Sequence, residues 1–298
     1  MRTTDRPTID AVLRRVCGRG PDRLVRLAGG GMNETYRAEL SDGLDVVVRI
    51  ARQGVPWFTD EARLMTRARA AGIPTPRQLG VEHLDDDDGL SSFCVQEFIP
   101  GRTLDVLAGE LPVRELERLV MDAGEVLARI HDVAPDGGMS HDLHPPDGAS
   151  MARVVQTVGR VVGVSGVAVV ERGVDVLHRA VAGPPVRSSA FVQGDFMPKN
   201  LVVDDGMLVG VIDWEFAGSA PPAFDLARWE VSAGDPWQDW SDVLRSGYSR
   251  VADPDAAAAG LVPAFALSWA LEKLGWRNRA TAAQIRRCVE IVDRYSAS

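Results

Sequence analysis

A chain of 298 residues, 45% hydrophobic and 25% charged, has the composition of a soluble globular protein and room for two domains. A net charge of −9 disfavours nucleic acid as a partner, and the longest weakly apolar stretch, Val161–Val170, falls well short of the about 20 apolar residues that a membrane span needs. Cys17, Cys94 and Cys288 are too scattered for a disulfide framework or a metal site, and the polar start, Met1–Ile9, has no signal-peptide core, so a cytoplasmic protein is expected.

Taken in chain order, Ile9, Val12, Leu13 and Val16 predict a helix over residues 7–19. Strands are predicted at Leu24–Leu27 and Thr35–Leu40, separated by Gly29-Gly30-Gly31, and after the turn Ser41-Asp42-Gly43 at Asp45–Ala51. A helix over Thr59–Ala71 ends at Gly72 and the prolines Pro74 and Pro76. Two more strands, Gln78–His83 and Phe93–Phe98, flank an acidic run, Asp85–Asp88, that reads as a solvated loop. The composition shifts at Pro100-Gly101, which sets a boundary between a small α+β lobe (1–100) and a larger, mainly helical one (101–298). Helices are predicted over Val113–His131, Met151–Ala182 and most of Trp237–Tyr295, with a loop over Asp132–Gly148. Between the second and third lies a different segment, Phe191–Trp229, of short strands and polar turns. The first 100 residues carry 14 basic and 15 acidic side chains and the rest 19 and 27, so the surplus of negative charge belongs to the second part.

The chemistry concentrates in Gln193-Gly194-Asp195-Phe196-Met197-Pro198-Lys199-Asn200 and, one hairpin later, Ile212-Asp213-Trp214-Glu215. Asp195, Asn200 and Asp213 are hard oxygen groups on tight turns between apolar strands. Mg²⁺ takes such ligands and completes its shell with substrate phosphates. A loop aspartate beside it can accept a hydroxyl proton. Phosphoryl transfer asks for little beyond this positioning and charge neutralisation.

The pattern D-x-x-x-x-N, a hairpin, then I-D-W-E resembles the aminoglycoside phosphotransferase and choline kinase-like family. The resemblance spans residues 24–229 and implies a two-lobed protein-kinase-like fold, with a β-rich nucleotide-binding lobe and a helical lobe for catalysis and substrate. It makes Asp195 the base and gives Asn200 and Asp213 to Mg²⁺. It makes Asp225 a brace of the catalytic loop. It implies ATP or GTP as donor, with Gly30, Gly31 and Asn33 in the nucleotide loop and Arg49 on the phosphates. Glu61 would pair with Arg49, and Glu97 and Ile99 would lie in the hinge that meets adenine. Two residues depart from the pattern: Gln193 stands where the family carries His, and Arg49 where kinases carry Lys. Gln still offers a donor and an acceptor, and Arg keeps the charge.

For the acceptor, acidic and aromatic residues of the helical part are the candidates: Asp235, Asp239, Trp240, Trp269 and Glu272, with Trp269 and Glu272 three apart on one helix. Together they suit a cationic or sugar-bearing substrate. The alternative, tryptophans in the core and acids on the surface, stays open. Lys199 and Lys273 are the only lysines against many arginines and alanines, a composition of high-GC bacteria, in which antibiotic-inactivating kinases are common. The expected function is therefore phosphorylation of an antibiotic hydroxyl. The alternatives are a metabolic kinase for choline, homoserine or a sugar, and a nucleotide-binding regulator without transfer activity.

Overall fold

A computed structural model describes residues 3–27, 33–51, 57–86, 89–135, 139–182, 189–232, 240–253, 260–275 and 280–297. By the contacts its residues make, the chain divides into two compact units: Met1–Glu110 with Lys199–Ala217, and Leu111–Pro198 with Gly218–Ser298.

The first unit begins with helix α1 (Arg6–Cys17), capped by Asp5, which accepts the Thr8 N–H, and ended by Gly18 at φ +76°. Strands β1 (Pro21–Arg26), β2 (Glu34–Leu40) and β3 (Asp45–Ala51) follow, then helix α2 (Trp57–Ala70) and strands β4 (Gln78–Asp86) and β5 (Gly89–Glu97). The five strands form one antiparallel sheet in the order β1-β2-β3-β5-β4. The acidic run is shorter as a loop than the sequence suggested, because the β4–β5 ladder continues to the pair Asp86–Gly89. Alternation along β3 divides two tasks. Val46, Val48 and Ile50 pack with Ile9, Val12 and Leu13 of α1, while Arg49 and Ala51 face the other way, toward Phe58 of α2. The charged residue is thus placed on a fully paired central strand.

The boundary expected at Gly101 lies inside this unit. Gly101 adopts φ +128°, and a Cβ there would meet the Val203 carbonyl oxygen at 2.4 Å. The chain can therefore lie against a hairpin from much later in the sequence. Strand β6 (Arg102–Thr103) leads into a helical turn, α3 (Leu104–Leu107), and completes a three-stranded sheet with that hairpin.

The second unit is mainly helical. Helix α4 (Val113–Asp132) buries Leu116, Leu119, Val120, Ala123, Leu127 and Ile130 at helical spacing. After the two-residue strand β7 (Met139–Ser140), the stretch read as one helix forms two, α5 (Gly148–Val161) and α6 (Val164–Ala182). Gly163 at φ +86° turns the chain between them. Strand β8 (Ala190–Val192) opens the segment that carries Asp195. The hairpin of β9 (Leu201–Asp204) and β10 (Met207–Val211) belongs to the first unit, and β11 (Gly218–Ala220) returns to pair with β8 and β7. Helices α7 (Ala223–Ser232), α8 (Ser241–Tyr248), α9 (Val262–Gly275) and α10 (Ala282–Ser296) complete the unit. Glycines let α4 and α8 touch closely: a Cβ on Gly124 would lie 2.1 Å from the Leu244 oxygen. Helix α9 is apolar on most sides, which suits its place among α5, α6, α7 and α10. Cys17, Cys94 and Cys288 are free thiols, and among the described residues no helix is long and apolar enough to cross a membrane.

Candidate active site

In the first unit, polar chemistry gathers around Arg49. The residue is 6% exposed, and its guanidinium contacts three carboxylates: Glu61, Asp213 at 2.8 Å and Glu215 at 3.4 Å. The side-chain amide of Asn33 donates to the same Glu215 oxygen at 2.8 Å. Burial disfavours the charge on Arg49, but Glu61 and Asp213 outweigh it and hold the guanidinium more firmly protonated than usual. Burial raises the Glu61 carboxyl above the ordinary range, against the pull of Arg49 and of a Trp214 N–H. The Cys94 thiol, opposite Arg49 in the sheet, is pushed up to about 12 by burial and then by Glu61, so it is a packing group and not a nucleophile. One cation among three acids leaves an acidic surplus, which suits a site that takes a further cation.

Asn200 and Asp213 sit at the two ends of the β9–β10 hairpin. A single 3₁₀ turn (Pro198–Asn200) leads into β9, and the Asn200 oxygen accepts the Ile212 N–H at 2.9 Å, tying Asn200 to the residue before Asp213. The Trp214 indole donates to the Val211 oxygen at 2.8 Å and pins the turn from below. Asp213 adopts φ +61°, a conformation uncommon for a non-glycine residue and typical of functional turns. Among the described residues no three His, Cys, Asp or Glu side chains form a metal cage of their own.

In the second unit, Asp195 is 3% exposed. Its backbone N–H donates to the Gln193 side-chain oxygen at 2.8 Å, so the glutamine that replaces the family histidine braces the loop locally. Gly194 takes φ +89°. Asp225 accepts the N–H groups of Gln193 (2.8 Å) and Gly194 (2.9 Å). His131 lies between Asp225 (3.3 Å) and the Tyr248 hydroxyl (3.0 Å). Burial, then the Asp225 charge, pushes the Tyr248 phenol up to about 12. Arg228 grips Asp195 through Nε at 2.8 Å and Nη2 at 2.6 Å.

Sequence reasoning gave no site role to Arg228, His131 or Tyr248, and quoted Glu215 only as part of its motif. Arg228 lies three residues after Asp225 on α7, a spacing that could have placed both on one helix face. Glu97 and Ile99 line a cavity of about 410 Å³ together with Pro74, Thr75, Phe98 and Val209. That volume lies at the lower end of the roughly 300–1,000 Å³ of small-ligand sites. The N–H groups of Glu97 and Phe98 are taken by Arg77 and Asp45. Trp269 carries two of the chain's own cations, Arg228 at 5.1 Å and Lys273 at 4.2 Å from the ring centre, and Glu272 is exposed. Trp240 precedes α8 and is half-buried. Gly30, Gly31, Asp235 and Asp239 lie outside the described residues.

Known proteins share this architecture. Aminoglycoside phosphotransferase APH(4)-Ia, in a thermostable form crystallised with ADP and hygromycin B, superposes with a TM-score of 0.66 at 18% identity, covering 98% of this chain and 99% of that one. Spectinomycin phosphotransferase APH(9)-Ia, with ADP and spectinomycin, gives 0.70 at 13% identity and 98% of both chains. A candidate fructosamine-3-kinase from Thermobifida fusca gives 0.65 at 20% identity, covering 97% and 98%. No curated protein matches the sequence. The sequence model of the phosphotransferase enzyme family, APH, matches residues 23–274. The α+β architecture, with its β-rich N-terminal sheet and helical remainder, is the protein-kinase-like one of these enzymes, and the chain belongs to the APH phosphotransferase family.

Proposed function

We propose that the chain is an ATP- and Mg²⁺-dependent O-phosphotransferase that transfers the γ-phosphoryl group to a hydroxyl of an antibiotic. The observation that carries the phosphotransferase part is the hairpin base, where Asn200 and a left-handed Asp213 are tied together through Ile212. These two residues would hold Mg²⁺, which neutralises phosphate charge and polarises the transferred group. Arg49, steadied by Glu61, would meet the phosphates in place of the usual lysine, a role its planar donors suit. The 1–100 lobe would serve the nucleotide and the later lobe the acceptor. Asn33 and the glycine pair Gly30-Gly31 would cover the phosphates, and Glu97 and Ile99 would border adenine.

Asp195, separated from Asn200 by four residues in its loop, would accept the acceptor's proton. The acceptor oxygen forms a bond to the γ-phosphorus, the bond from that phosphorus to the β,γ-bridging oxygen breaks, ADP leaves, and the proton passes to the Asp195 carboxylate. Full retention of Asp195, Asn200 and Asp213 supports an active enzyme over a regulator that only binds nucleotide.

Two similar proteins bind the antibiotics hygromycin B and spectinomycin, and the negative second part of the sequence suits a cationic acceptor. Acidic Asp235, Asp239 and Glu272 with Trp240 are its candidate contacts; Trp269 contributes less, since its ring already carries Arg228 and Lys273. A metabolic kinase is the second reading, favoured by the equal likeness to a candidate fructosamine-3-kinase. The purified protein with Mg-ATP and a panel of antibiotics and small alcohols, followed by mass spectrometry, tests both. An antibiotic heavier by one phosphoryl group establishes the first reading. A phosphorylated metabolite establishes the second. Nucleotide binding without any product would favour the regulator.

A further inference from the structure

Arg228 engages Asp195 in an unusual way for a surface arginine. Two of its nitrogens, Nε and Nη2, converge on a single carboxylate oxygen, Oδ1. The side chains are 17% and 4% exposed, so the pair is largely withdrawn from water. The guanidinium also lies over the Trp269 ring, which limits where it can swing. On the same helix, Asp225 accepts the N–H groups of the two residues before Asp195. Helix α7 therefore holds the loop twice, by its backbone through Asp225 and by its reactive side chain through Arg228.

We infer that Arg228 is a positioning residue for phosphoryl transfer: by holding Oδ1 it fixes the rotamer in which Asp195 meets the acceptor hydroxyl. The inference rests on Asp195 being the proton acceptor. A largely buried ion pair adds little net stability, so stability alone is a poor reason for one here. In a loose phosphoryl-transfer transition state the acceptor proton leaves late, and alignment counts for more than base strength. A carboxylate shared with arginine meets that demand. Lysine, with a single charged nitrogen, can hold Oδ1 but cannot reproduce the planar two-point grip.

The test measures steady-state ADP formation over a range of Mg-ATP concentrations, with water as acceptor, for the wild type, Asp195→Asn, Arg228→Gln, Arg228→Lys and the Asp195→Asn/Arg228→Gln double variant. Arg228→Gln should lower the rate about 30-fold with the ATP KM unchanged, as misalignment costs rate and not ground-state binding. Arg228→Lys, which keeps one contact to Oδ1 but not the two-point grip, should recover only part of the loss, and it keeps the test open if Arg228→Gln fails to fold. The double variant should be no slower than Asp195→Asn, because Arg228 acts through Asp195. A wild-type rate in Arg228→Gln beside a slow Asp195→Asn would overturn the inference. So would a double variant slowed by the product of the two single effects. An undiminished rate in Asp195→Asn would instead remove the base assignment, and the inference with it, an outcome distinct because failure of the grip alone leaves Asp195→Asn slow.

Discussion

The polar clusters of the two units are built on opposite plans. Around Arg49, one cation is surrounded by the side chains of Glu61 on α2 and of Asp213 and Glu215 in the turn after β10, joined to it by side-chain ion pairs, with a Trp214 N–H also reaching Glu61. Around Asp195, the central carboxylate is gripped by one arginine, and its loop is pinned through backbone N–H groups by Asp225. The first plan leaves an acidic surplus: the Asp213 side chain pairs with Arg49 yet is 32% exposed. The second leaves little freedom. Adaptable electrostatics for a charged donor and a fixed geometry for the reacting hydroxyl are what phosphoryl transfer asks of a protein.

The sharpest way to break this comparison is at Asp195. Asp195→Ala should reduce transfer about a thousandfold, within the range for a lost general base, and leave Mg-nucleotide affinity unchanged. Product formation by the variant at the wild-type rate would strip the second cluster of its function. Asp225→Ala tests the fixed plan itself. It removes the acceptor from two buried N–H groups, each worth about 1–3 kcal/mol, and should lower Tm by roughly 5–10 °C. Unchanged thermal unfolding would mean that the loop holds its shape without α7. A smaller effect belongs to the adaptable cluster: Asp213→Ala should weaken Mg²⁺-dependent nucleotide binding about tenfold, close to 1.4 kcal/mol. Arg49 keeps Glu61 and Glu215 in that variant, so the fold should tolerate it, and equal affinity with and without Asp213 in titrations at saturating Mg²⁺ would count against the metal role.

Legibility in the sequence followed the same division. The Asp195–Asn200 spacing and the Asp213 turn could be read because they lie in continuous chain. The contact between Asn33 and Glu215 joins residues 182 apart, and no spacing rule reaches that far. Arg228 looked like any helix arginine until its partner was placed. Strands β6, β7 and β11 have two or three residues each and exist through pairing with distant chain, so local propensity could not find them. Val161–Val170 misled in another way: valine, glycine and alanine on every side hide the helical period, and the break at Gly163 disappeared into an apolar run. The boundary at Gly101 followed composition, but backbone packing on Val203 keeps the next residues with the first unit.

The subtlest prediction concerns Glu61, where the adaptable cluster meets the core. Burial raises its carboxyl above the ordinary value of 4.5, and Asp213 adds to this, while Arg49 and the Trp214 N–H oppose it. A carboxyl whose folded value lies above its unfolded one binds its proton more tightly in the native state. Its contribution to stability is therefore complete below about pH 4.5 and is lost as pH rises through the folded value. In Glu61→Gln the neutral amide carries no such dependence, so the stability of the wild type relative to the variant should decline from pH 4 toward neutrality. Paired thermal unfolding curves across this range check the sign. A wild type that gains on the variant as pH rises would show that ionised Glu61 is a net stabiliser, and the first cluster would then be as rigidly committed as the second.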